Sequence, residues 1–127
     1  MKFFKKKKEG ERPSEEIKKP TELEMFCGND KELYQALYDT MPPDPKRSNV
    51  SLQEAVEKAK EFEKSGNKLQ ARMWYHIAGG LAIFQGDVEK VKEYFGKCEK
   101  LSNRKYPILK IPEKAVAKAK EYYEKNL

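Results

Sequence analysis

From residue 21 onward, apolar residues recur at three- and four-residue spacings, and no stretch alternates with the period of two that a strand requires. The pattern predicts an all-α chain. A short helix over 21–27 leads through Gly28-Asn29-Asp30 into a second over 31–41, where Leu33, Tyr34, Leu37, Tyr38 and Met41 share a face. Pro42, Pro43 and Pro45 stop it, because proline lacks an amide donor and constrains the residue before it. Ser51 and Glu54 have capping-box spacing and open a helix striped by Leu52, Ala55, Val56, Ala59 and Phe62 up to Gly66. Residues 69–84 are apolar on nearly all sides, as expected of a helix held between neighbours. Gly86-Asp87 turns the chain into a helix burying Val91, Tyr94, Phe95 and Cys98. Pro112 suits the first turn of a last helix carrying Ala115, Val116, Ala119 and Tyr123.

These elements predict about five to six helices paired as antiparallel hairpins in a small right-handed array or bundle. At 127 residues the chain has room for one domain. Residues 1–20, rich in Lys with Gly10, Pro13 and Pro20, read as a flexible basic arm. Residues 21–127 read as the domain, divided into a hairpin at 21–41, a Pro-rich linker at 42–50 and a main bundle at 51–127.

Two kinds of repetition lie within it. EAVEKAKEF at 54–62 returns as KAVAKAKEY at 114–122, and the turns at Gly28-Asn29, Gly66-Asn67 and Gly86-Asp87 are followed at fixed distances by apolar or small residues. The segment YHIAGGLAIFQGDVEKVKEYFGKCEKLSN, residues 75–103, resembles a tetratricopeptide repeat through Tyr75, Gly79, Gly86, Val91, Phe95 and Cys98. Val91 and Cys98 stand where that family has smaller residues, and Asn103 replaces its closing proline. A second resemblance, carried by LQEA at 52–55, Gly66-Asn67, Tyr75-His76 and Lys97-Cys98, is to the microtubule-interacting and transport (MIT) domain. Both resemblances imply helical modules that bind peptides in grooves.

Charge modifies this picture in one place. The net charge is +6, yet six basic and two acidic residues put +4 of it in the first twelve positions. The body is therefore nearly balanced, and specific DNA recognition is not supported. Lys5, Lys6, Lys7 and Lys8, beside Phe3 and Phe4, are candidates for weak, sequence-independent and salt-sensitive contact with nucleic acid or an anionic surface. The heavy use of Lys and Glu is also a thermophile surface composition. Two cysteines, Cys27 and Cys98, are too few for a disulfide framework, which makes a reduced, cytoplasmic setting the expectation. The longest apolar run, 73–84, falls short of a membrane span.

Catalytic chemistry is poorly provided for. The chain has one histidine, so no histidine pair can hold a metal, and His76 on the most apolar helix reads as a satisfied core or boundary residue. Gly79-Gly80 lacks the preceding strand of a nucleotide loop and reads as close helix packing. Pairs such as Glu61 and Glu63 fall on exposed faces. The expectation is no enzyme, cofactor or metal, but an adaptor binding a protein or peptide beside the 69–84 helix through Lys68, Arg72 and His76. Replacing Lys68 and Arg72 together is expected to weaken binding without lowering stability. The Tyr- and Phe-rich faces leave a homodimer open as a further arrangement.

Overall fold

A computed structural model describes residues 21–42 and 44–127; the Lys5–Lys8 arm lies outside the described residues. Among them the chain is all-helical: α1 (Glu22–Cys27), α2 (Lys31–Tyr38), α3 (Leu52–Lys64), α4 (Lys68–Gln85), α5 (Val88–Leu101) and α6 (Pro112–Asn126). Short 3-10 turns at Pro45–Arg47 and Pro107–Lys110 complete it.

The helix boundaries follow from local chemistry. Side chains of Thr21, Asp30, Asn67 and Asp87 each accept a backbone N–H three residues on, satisfying amides that a helix leaves free at its start. Ser51 and Glu54 form the full reciprocal box at 3.1 and 2.9 Å. Pro112 opens α6 without a side-chain cap. The two tight hairpins share one design. Gly66 and Gly86 take φ of +82° and +77°, and the next amide reaches back five residues, Asn67 to Phe62 and Asp87 to Ala82. That left-handed step costs most residues but not glycine, and the residue that ends one helix caps the next.

α3 and α5 both pack along α4, and their own contacts with each other are slight. The seam between α4 and α5 is close because Gly79 has no side chain: a β-carbon there would sit 2.6 Å from the Phe95 ring. Gly80 serves the other side, where a β-carbon would meet the Thr40 carbonyl oxygen at 3.0 Å and the Pro42 ring. Tyr75 stacks on Tyr94, and Phe95 on Tyr106. Phe95, Ile83, Val91, Ile108 and Leu37 are fully buried, each contributing about 1.5–3 kcal/mol over an exposed counterpart.

The N-terminal hairpin packs on the bundle: α1 rests on α2 and α6, and α2 on α6 and the Pro107–Lys110 turn. The proline-rich linker is also part of the body. Pro45 is buried, and the Tyr123 hydroxyl donates to the Pro42 carbonyl oxygen. Lys114 and Asp30 pair between α6 and the start of α2, which holds the Asp30 carboxyl below its ordinary range.

Candidate functional site

His76, midway along α4, faces the end of α2 and the connection after α5. Its Nε2 lies 2.8 Å from the Asp39 carbonyl oxygen, which can only accept, so Nε2 carries the proton. Nδ1 is then an acceptor and takes the Tyr106 hydroxyl proton at 3.2 Å. The same hydroxyl oxygen accepts from an Arg72 guanidinium nitrogen at 3.2 Å. A single chain of donors therefore runs from Arg72 through Tyr106 and His76 to Asp39. Burial, and secondarily Arg72, push the His76 pKa down, keeping the ring neutral.

Neighbouring bonds hold this chain in place. The Tyr106 amide donates to the Glu99 carboxylate at 2.7 Å, and Ser102 accepts the Arg104 amide at 3.2 Å. Arg104 lies over the Tyr106 ring, 4.8 Å from its centroid, and pairs with Asp39. The Cys98 thiol lies 3.5 Å from the Arg72 carbonyl oxygen, and burial raises its pKa to about 11. Burial also raises that of Cys27. Both thiols are free and buried.

Next to this polar cluster α4 departs from the sequence expectation. Its apolar residues are not covered on all sides: Leu69, Met73 and Ile77, one turn apart, are 62%, 43% and 38% exposed. The reason is where the neighbours pack. α3 and α5 pack along α4, while Pro42 meets it at Gly80 and α6 at Phe84, which packs edge-on against Tyr123. At the Ile77 end the strip runs into a cavity of about 270 Å³, lined by Thr40, Pro42, Pro45, His76, Ile77 and Leu81 among others. α4 carries no Asp or Glu, and Lys58 lies over the Trp74 ring on its other flank. At its cavity end the strip also meets Asp39 and Asp44, so its surroundings carry both signs of charge.

The structure brings Arg72 and His76 together through Tyr106, and leaves Lys68 exposed in the first turn of α4. Arg72 is half-buried and hydrogen-bonded to Tyr106, so its removal is expected to lower stability where that of Lys68 is not. Tyr106, which joins the two, is 2% exposed and stood out in no sequence pattern, because it lies between helices where no periodicity marks it. The one available signal was an aromatic residue directly before Pro107. Glu63 was likewise read as surface, yet its carboxylate accepts the buried Tyr75 hydroxyl at 2.7 Å and meets Lys97 at 3.6 Å. Burial and then Glu63 raise the Tyr75 pKa.

The histidine has both ring nitrogens engaged. Among the described residues no group of three His, Cys, Asp or Glu side chains could hold a metal, and no helix is long and apolar enough to cross a membrane. Comparison with protein-family models, curated proteins and solved structures finds no match to the chain.

Proposed function

We propose that the protein is a non-catalytic interaction module that docks a partner protein, through an amphipathic segment, along α4. The observation that carries this reading is the open strip of Leu69, Met73 and Ile77 running into the cavity beside His76. Large apolar side chains aligned at one-turn spacing match the i, i+4 register by which helices dock on each other, and a cavity at one end suits an anchoring side chain. Arg72 and Lys68 are the candidate polar contacts on α4, and His76 forms part of the cavity wall.

A tetratricopeptide-like organisation is supported by the roles of the residues that suggested it. Gly79 and Phe95 make the close seam, Gly86 the turn, and Val91 and Cys98 the buried face of α5. The α3–α4 and α4–α5 hairpins would then be two overlapping units that share α4. A photo-crosslinking amino acid placed at Met73, with a control at exposed Lys60 on α3, tests the docking surface in nuclease-treated lysate. Discrete adducts at 73 and none at 60 are expected. Equal adducts at both positions, or none at 73, would remove the strip from the function.

A further inference from the structure

We propose that the His76 contacts form an acid-sensitive latch, holding the end of α2 and the 102–106 connection against α4 at neutral pH and releasing them when the imidazole is protonated. The latch touches the docking reading in one respect only, that it frames the Ile77 end of the strip. It is tested on the chain alone, so it stands or falls separately from any partner.

The geometry makes one protonation state fit. Asp39 offers a carbonyl oxygen, so Nε2 must donate; Tyr106 has Arg72 as a donor to its oxygen, so its own proton goes to Nδ1. A second ring proton turns Nδ1 into a donor, so the Tyr106 oxygen would have to accept from Arg72 and from the imidazolium together. The Tyr106 hydroxyl proton is displaced, with the weakly accepting Cys98 sulfur as an alternative partner. The new imidazolium also lies in a half-buried place beside a guanidinium.

The surrounding charges do not relieve it. On α4 the neighbour is Arg72. At the end of α2 the Asp39 carboxylate is taken by Arg104, which the 102–106 connection supplies together with Tyr106. From α5, Cys98 is neutral and Glu99 is engaged by the Tyr106 amide. On the linker side of the cavity Asp44 pairs with Arg47. Protonation is thus easier once the latch is open. A folded-state pKa below the open-state value means that closure is fully stable above the ordinary imidazole pKa of about 6.5 and weakens as pH falls below it.

The test uses the full chain, whose single histidine gives one unambiguous set of ring resonances. In wild type the ring titrates below the ordinary histidine midpoint as the Nε2–H tautomer. The exchange rates of the Leu37 and Tyr38 amides, corrected for intrinsic pH dependence, rise about tenfold from about pH 7.5 to about pH 5. His76→Gln, which keeps a donor for Asp39 and cannot be charged, abolishes that rise. An ordinary or raised midpoint, or corrected exchange that is flat in wild type or equally steep in His76→Gln, overturns the latch. Should His76→Gln not fold, the wild-type midpoint and exchange decide.

Discussion

The Tyr106 hydroxyl stands 3.2 Å from Nδ1 of His76, and with the Arg72 bond to the same oxygen it fastens a connection between helices to the middle of α4. Tyr106 is buried although it belongs to no α-helix, with Phe95 stacked on its ring at 5.3 Å. Its hydroxyl is both donor and acceptor, so a phenyl ring cannot replace it. Tyr106→Phe leaves the Arg72 donor and Nδ1 without their partner in a half-buried place. A loss of about 1–3 kcal/mol in denaturant unfolding is expected, together with a rise in the His76 pKa because the neutral ring loses a donor. A wild-type midpoint would show that the hydroxyl carries no such role.

Two glycines in the helices make opposite predictions. At Gly79 a β-carbon would lie 2.6 Å from the Phe95 ring, and the ring is also packed by Tyr106 and His76. Gly79→Ala therefore destabilises by about 1–3 kcal/mol. At Gly96, in the interior of α5, a β-carbon meets nothing within 4 Å. Gly96→Ala is then expected to stabilise by up to about 1 kcal/mol, since alanine restricts the unfolded chain and favours the helix. Thermal or denaturant unfolding of the two variants separates steric packing from helix propensity.

Both cysteines are predicted to be silent in the folded protein. Cys98 has no exposed surface and its thiol pKa is raised to about 11, while Cys27 is 6% exposed with its pKa also raised. Thiolate is the reactive form, so a disulfide reagent at mildly alkaline pH should label neither in the native state and both after unfolding. Rapid labelling of Cys98 without denaturant would mean that α5 opens readily from α4.

The helices were legible because their causes are local. Ser51 with Glu54, Gly66-Asn67, Gly86-Asp87 and Pro112 state where a helix begins or ends within four residues, and the structure uses each of them so. The close packing at Gly79-Gly80 was legible for the same reason. What α4 leaves uncovered was not, because a strip of Leu69, Met73 and Ile77 looks the same in sequence whether or not a neighbour reaches it. Exposure there depends on where the neighbours pack, and Pro42 and Tyr123 meet α4 at Gly80 and Phe84 instead. Arg72 and His76 were singled out as polar interruptions of an apolar helix, but their bonds run to Tyr106, 34 and 30 positions away. Periodicity carries no information about such partners.

The same contacts divide Lys68 from Arg72 as reagents. Lys68→Ala should leave stability within about 0.5 kcal/mol, since the residue is exposed. Arg72→Ala removes a half-buried donor and should cost about 1–2 kcal/mol, so any loss of binding in that variant needs a stability control. Unfolding curves of the two single variants check this directly.

The central claim is that the open face of α4 is where a partner sits. The most direct measurement compares nuclease-treated affinity capture by the wild type and by Leu69→Glu/Met73→Glu, alongside their thermal unfolding. Both side chains are substantially exposed, so the double variant should unfold within a few degrees of wild type. The account predicts that proteins retained by the wild type are lost from this variant while its helicity and unfolding are unchanged. Retention of the same proteins by a fully folded double variant would contradict it.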